Sequence, residues 1–419
     1  MVLRFVLFLL VLVTLLAALC VYVHRRLTWL LGLQRAGRRA LAAVLAGGRV
    51  AMLVGRAAGR LDEAAGSWAA PLAIAGSTLM LAVLVSGVLF LLVDAGAGLT
   101  RLGARLRRRL PTRKPDAPEG EGSHSKHANS VSEPGAPNSA ERSATLGRRE
   151  LVVRGALAAA AATGAGSSLY GALVGRHDYR VETVPVPLPG LDRRLDGYTI
   201  VQLSDLHFGT FAGERELAIA VDLVRAARPD LVVLTGDLVD HDPRHAVLVG
   251  RLTARLVELA RDGVAAVPGN HDYYAGVGAI LDALERAGAR TLVNAAARLG
   301  DADHGFVLAG VDDPWMGEAD LERALAGQPS DAPVLLLCHN PVYFPRAAPR
   351  VGLQLSGHTH GGQVNIGPRL ADWVLPYGYV AGLYERDGSR LYVNRGFGVA
   401  GPPARVGAPP EVTRIVLTS

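Results

Sequence analysis

Apolar residues follow two regimes along the chain. Near the N-terminus they form long unbroken runs. Residues 5–23 (FVLFLLVLVTLLAALCVYV) and 71–93 (PLAIAGSTLMLAVLVSGVLFLLV) carry no charge, and a helix of either length crosses about 30 Å of hydrocarbon. Residues 40–59 are weaker, because Arg49 and Arg56 interrupt them. A central arginine costs about 2.5–3.5 kcal/mol on insertion scales, so this stretch reads as a span or as a helix lying in the interface. Residues 155–175 are uncharged and rich in Ala and Gly, a fourth apolar segment. From about residue 180 the apolar runs shorten. Strands are predicted at 198–204, 230–235, 263–267, 305–310, 333–338, 352–356, 390–394 and 411–417. Stretches with 3.6-residue periodicity at 214–227, 245–262 and 276–287 predict helices between the early strands. This order predicts a layered α/β domain whose sheet core is covered by helices, preceded by transmembrane helices.

Residues 111–150 separate the two regimes. They are mostly Pro, Ser, Gly and charge, cannot bury enough surface to offset ordering entropy, and read as a disordered linker in which His124 and His127 are solvated. The predicted organisation is therefore a membrane domain over 1–110 (spans at about 3–23, 40–59 and 71–93), the linker, a further apolar membrane segment over 151–175, and a globular domain over 180–419. The first span is followed by His24, Arg25 and Arg26 rather than by a small-residue cleavage site, against a signal peptide. Arg148-Arg149-Glu150-Leu151-Val152 resembles an internal, imperfect twin-arginine export signal.

Composition sharpens this picture. Half of the 419 residues are hydrophobic and the formal charge is +6; the mean hydropathy is +0.24 and the pI about 9.5. The basic residues concentrate beside the spans, at Arg25, Arg26, Arg35, Arg38 and Arg39 and at Arg101, Arg105, Arg107, Arg108, Arg109, Arg113 and Lys114. Over residues 195–400 no basic run accompanies the chemistry-bearing motifs, so no nucleic-acid partner is expected. Both arginine clusters favour the cytoplasm, which requires residues 40–59 to cross; the fourth segment then carries the globular domain outside. The expectation is a multi-pass protein of the inner (cell) membrane with an extracytoplasmic domain. Cys20 and Cys338 are far apart and suggest neither a disulfide nor a thiolate zinc site.

The chemistry stands just beyond the predicted strands: Asp205 and His207 after the first, Asp237 after the second, Asn270, His271 and Asp272 after the third, His339 after VLLLC, and His358 and His360 after LQLS. In open α/β sheets, sites form at the carboxyl ends of strands. These oxygen and nitrogen donors suit Mn²⁺, Fe²⁺ or Zn²⁺. Seven of these side chains, Asp205, His207, Asp237, Asn270, His339, His358 and His360, exceed the needs of one ion with an open position. They suit two ions sharing a bridging carboxylate, an arrangement that clamps the attacking and leaving oxygens of a phosphoryl group.

Together, Asp205-x-His207, Gly236-Asp237, Gly269-Asn270-His271-Asp272, His339-Asn340-Pro341 and Gly357-His358-Thr359-His360 resemble the calcineurin-like metallophosphoesterase superfamily over about residues 195–400. Gly357–Gln363, Cys338–Pro341 and the membranous front resemble its YaeI/YkuE-type phosphodiesterases and transmembrane proteins with a metallophosphoesterase domain. The resemblance implies a β-sandwich core flanked by helices, with Asp205, His207 and His360 on one divalent ion, Asn270, His339 and His358 on a second, and Asp237 between them. It implies His271 as general acid or phosphate hydrogen-bond donor, with Asp272 able to orient it. Purple acid phosphatases place a tyrosine three residues after the bridging aspartate; here Asp240 stands there, against an Fe(III)–tyrosinate pair.

The function so implied is a membrane-anchored phosphoesterase acting on a phosphodiester or pyrophosphate, with a phosphorylated lipid or envelope small molecule as partner and UDP-2,3-diacylglucosamine as one specific substrate. A non-catalytic metal-binding membrane sensor, a nuclease and a protein phosphatase are the alternatives. Asp240, His241, Asp242 and His245 read as loop and helix start. Trp315, Phe344, Trp373, Tyr377, Tyr379 and Phe397 read as core, with an apolar ledge for an acyl chain or bilayer as the competing role.

Overall fold

The computed structural model describes residues 2–61, 66–109, 147–301, 304–367, 369 and 371–419, with the side chains of 2–13, 60–61, 66–67, 107–109 and 374 left aside. The predicted linker lies outside the described residues up to position 146, and helix α4 already begins at Arg148. The chain divides into two compact units, one of residues 1–39 and 83–164 and one of residues 40–82 and 165–419.

Four long helices among the described residues precede the globular domain: α1 (Val2–Leu30), α2 (Arg35–Leu61), α3 (Gly66–Arg109) and α4 (Arg148–Leu173). Among the described residues, Arg35–Gly59, Trp68–Leu106 and Arg148–His177 are long and apolar enough to cross a membrane. The predicted span 5–23 falls on α1, whose first side chains are not described. Within the first unit, Asp94 accepts from the Tyr22 hydroxyl (2.5 Å) and from Arg26, uniting a charged group of α3 with partners on α1. Within the second, Gly55 and Gly76 let α2 and α3 touch backbone to backbone, since a Cβ at either would strike the facing main chain.

The globular domain is a sandwich of two mixed six-stranded sheets. The first has the order β1 (Arg180–Pro187), β12 (Glu411–Thr418), β2 (Thr199–Leu203), β3 (Leu231–Thr235), β4 (Val264–Val267), β5 (Arg290–Thr291). The second has the order β10 (Gly382–Arg386), β11 (Ser389–Val393), β9 (Leu353–Ser356), β8 (Val334–Leu337), β7 (Phe306–Gly310), β6 (Ala295–Leu299). β2, β3 and β4 run parallel, as do β7, β8 and β9.

Alternation explains the layers. Ile200, Leu231, Val233, Ala265 and Val267 point from the first sheet into the sandwich and meet Leu308, Leu335, Leu337, Leu353 and Leu355 of the second. The intervening Val201, Leu203, Val232, Leu234, Val264 and Ala266 point outward. There they are covered by α5 (Glu214–Ala227), α6 (Ala246–Val257) and α8 (Val277–Arg286), through Leu217, Val221, Val224, Leu252, Leu256, Ile280 and Leu284. Both faces are dry, which is why these strands read as continuous apolar runs. Near the rim, Gln202 of β2 crosses the sandwich, donating to Thr235 Oγ1 (2.9 Å) and to the Ser356 carbonyl (2.9 Å), and so fixes the two sheets against each other.

Candidate active site

The parallel strands deliver their C-terminal ends to one rim. Asp205 and His207 follow β2, Asp237 follows β3, Asn270 opens the short helix α7 (Asn270–Ala275) just after β4, His339 follows β8, and His358 and His360 follow β9. The chain turns sharply at each end. Asp205, His207, Asp237, His358 and His360 all have φ between 49° and 73°, a region costing a non-glycine residue of order 1–3 kcal/mol that clusters where function demands it. Gly236 lies at φ 86°, and a Cβ there would come within 2.6 Å of the Gly269 nitrogen and 2.8 Å of His339 Nδ1.

The side chains form two clusters sharing one carboxylate. In the first, His207 Nε2 and His360 Nε2 are 3.0 Å apart, and Asp205 Oδ1 lies 3.3 Å from His360 Nε2 and 3.9 Å from His207 Nε2. In the second, His339 Nε2 and His358 Nδ1 are 3.2 Å apart. Asp237 Oδ2 lies 3.2 Å from His339 Nε2 and 3.7 Å from His207 Nε2, so one oxygen faces both clusters. Each trio, Asp205–His207–His360 and Asp237–His339–His358, is compact enough to hold a metal ion. Asn270 is buried, and its Oδ1 has no hydrogen-bond partner in the structure. A buried amide oxygen left without a partner fits a divalent cation, because burying such an acceptor unpaired is costly. Six of the seven residues predicted as ligands, Asp205, His207, Asp237, His339, His358 and His360, are thus brought together.

Partners behind the ligands orient them. His339 Nδ1 is 2.7 Å from the Thr235 carbonyl, which turns Nε2 inward. Burial opposes protonation of His339, but Asp237 and Asp205 override it and raise its pKa to about 10. Burial and the neighbouring His339 push His358 down to about 3. Burial, His207 and Arg405 hold His360 well below its ordinary value. Asp205 is raised chiefly by burial and accepts from the His358 amide at 3.0 Å.

His271 stands at the rim, half-buried. Its amide donates to Asp237 Oδ1 (2.8 Å), and its Nδ1 lies 2.9 Å from the Asp240 carbonyl and 3.3 Å from Asp240 Oδ1. Burial works to lower its pKa, yet the Asp240 and Asp237 carboxylates raise it to about 9.

Here the structure corrects the role given to Asp272. Both of its oxygens are occupied by main-chain donors: Leu238 and Val239 on Oδ1 (2.9 and 3.1 Å) and Gly269 on Oδ2 (2.9 Å). One residue after His271 in a helix, it projects to another face, where it pins the loop carrying Asp237. The carboxylate beside His271 is instead Asp240, read from sequence as plain loop. It also lies 3.6 Å from His207 Nδ1 and 2.8 Å from His241 Nδ1, and these imidazoles hold it far below the usual carboxylate range against the pull of burial.

Two further residues escaped the sequence reading. Asp313, just past β7, is buried, raised in pKa by burial, and has an unpartnered Oδ2; the strand-end logic applied to the other runs would have found it. Its Oδ1 accepts from the amides of Trp315 and Met316 (3.0 and 2.8 Å), shaping a loop that sets the Trp315 ring edge-on to His358 at 4.5 Å. Arg405 had no signal at all. Of the predicted aromatics, Phe344 and Phe397 are core, whereas Trp315, Trp373 and Tyr377 are exposed.

The family model for calcineurin-like phosphoesterases matches residues 198–362. The chain is 33% identical over 275 residues to the Bacillus subtilis uncharacterized metallophosphoesterase YkuE, covering 63% of this chain and 94% of that protein. It is 33% and 34% identical to transmembrane proteins with a metallophosphoesterase domain from Danio rerio and Bos taurus, spanning 60% and 63% of their lengths. The chain belongs to the calcineurin-like metallophosphoesterases. It is accordingly a metal-dependent phosphoric ester hydrolase with membrane-protein relatives.

Proposed function

We propose that the protein is a membrane-anchored phosphoesterase holding two divalent ions (Mn²⁺, Fe²⁺ or Zn²⁺) and cleaving a phosphodiester or pyrophosphate of a lipid or cell-envelope molecule. The observation that carries this reading is Asp237 Oδ2 facing both His207 and His339. Asp205, His207 and His360 would hold one ion and Asn270, His339 and His358 the other, with Asp237 shared between the two. When bound, the ions supply Lewis acidity at the phosphoryl oxygens. The chain's own residues supply the rest. Asp272 fixes the loop that aims Asp237. The Asp240 carbonyl and carboxylate hold Nδ1 of His271, leaving Nε2 as the nitrogen that hands a proton to the leaving oxygen.

A lipid or envelope substrate is supported by three apolar helices among the described residues and by Trp315, an exposed residue beside His358. Placement of the domain outside the inner membrane rests on the arginine clusters beside the spans. The test pairs metal analysis of the purified chain with a panel of p-nitrophenyl mono- and bis-esters, phospholipids and UDP-2,3-diacylglucosamine. Two ions per chain with preferred cleavage of a diester or pyrophosphate is the expected result; full metal content without turnover of any ester refutes the catalytic reading. An alkaline-phosphatase fusion after residue 180 is expected to be active, and an inactive one refutes external placement.

A further inference from the structure

Arg405 heads the fully buried side chains in size among the described residues, and no carboxylate pairs with it there. Main-chain carbonyls cage its guanidinium: Arg395 at 2.6 Å, Gly396 and Gly398 at 3.0 Å, and Ala408 at 3.2 Å. Its other two contacts are both with His360 of the first cluster: Nη1 donates to the His360 carbonyl (3.4 Å), and Nη2 lies 3.1 Å from His360 Nδ1. His339, by contrast, has an ordinary carbonyl behind its ring. A guanidinium built into a carbonyl cage is a rigid backstop for the imidazole it touches.

The segment that carries Arg405 is fastened on two sides. Toward the site, Gln363, three residues after His360, donates to the Ala400 and Pro402 carbonyls (2.8 and 2.9 Å) and accepts from the Ala400 amide (3.0 Å). Toward the helices, the Arg405 amide donates to the Gly171 carbonyl in the last turn of α4 (3.1 Å). A Cβ at Gly175 would land on the Arg405 carbonyl oxygen, and one at Gly171 would come within 2.8 Å of Val406. Arg56 of α2 donates to the Gly401 carbonyl and lies over the Phe211 ring at 5.2 Å, in the loop that follows His207.

We propose that residues 400–408 form a strap through which α2 and α4 brace the Asp205–His207–His360 cluster, with Arg405 the positioning residue for His360. This rests on the reading of that cluster as a metal site. The helices then do more than anchor: they complete the support of one ion and leave the other to the sandwich.

The test uses the full chain in detergent and two readouts, stepwise removal of Mn²⁺ by a chelator and amide hydrogen exchange. Arg405→Met is expected to weaken one of two Mn²⁺ equivalents by about 10–100-fold, the range for lost outer partners of metal ligands, and to spare the other. Arg405→Lys restores little, because an ammonium cannot span the cage. Gly175→Ala, whose site touches no ligand, weakens the same equivalent by less and speeds exchange of amides 357–363 without affecting β3. If Arg405→Met does not fold, Gly175→Ala decides. Unchanged Mn²⁺ retention and exchange in Gly175→Ala, or equal weakening of both equivalents in Arg405→Met, overturns the proposal. Wild-type chain that takes up no divalent cation overturns the metal reading instead, and the exchange of 357–363 in Gly175→Ala still decides the strap.

Discussion

Around Asp205 each ring is enclosed: His207 and His360 are buried, and the outer nitrogen of His360 meets the caged Arg405. Around His358 the protein opens. That ring is partly exposed, and its neighbour Trp315 lies mostly in solvent. The same residue types therefore serve two halves that differ in support. One is held from behind by a cation and a strap, and the other by a sheet carbonyl on His339 and an exposed aromatic on His358.

Four substitutions test this contrast. Asp237→Asn removes the one carboxylate oxygen that both halves face, so metal content and turnover are expected to fall together to background; retention of either ion shows that the halves do not share it. His271→Ala belongs to neither half and should keep both ions while kcat drops about 10²–10⁴-fold. Turnover within a few-fold of wild type refutes its acid role. Asp240→Asn is expected to cost about 10–100-fold and to shift the pH profile. His271 is raised to about 9 by its carboxylate neighbours. Its protonated form therefore persists below that value and is lost as pH rises through it; removing the Asp240 charge lowers that pKa, and the descending alkaline limb moves to lower pH. An unmoved limb assigns it to another group. Trp315→Ala is the mildest. Its ring is exposed, so thermal stability should change by within about 0.5 kcal/mol, while KM rises for substrates with bulky apolar groups and not for small aryl phosphates. An equal rise for both removes the argument for apolar recognition.

Eight strands were predicted from sequence, and eight strands overlap those positions. Four others, β1, β5, β6 and β10, were not foreseen, and they are the four edges of the two sheets. An edge strand is covered less completely and lacks a continuous apolar run. β1 even carries Pro185 and Pro187, which an edge tolerates and an interior strand does not. The helix predicted at 245–262 stops at Val257, five residues short; the interior of the pattern is specified by burial, its end by local capping.

Every ligand-type residue could be read in the sequence because each follows an apolar strand, and a buried strand announces itself by composition alone. What the sequence determined was most of the candidate donors and the edge on which they stand; Asp240 and Asp313 joined them only in the structure. Which side chain backs which ring was settled only by folding. Asp272 is the neighbour of His271 in the chain, but helix geometry turns it toward the Asp237 loop, and Asp240, from a different strand end, takes the place beside the imidazole. Arg405 lies 45 residues from His360 and belongs to no motif. A buried cation with carbonyl partners leaves no pattern in one dimension, since each partner is a main-chain atom that any residue could supply.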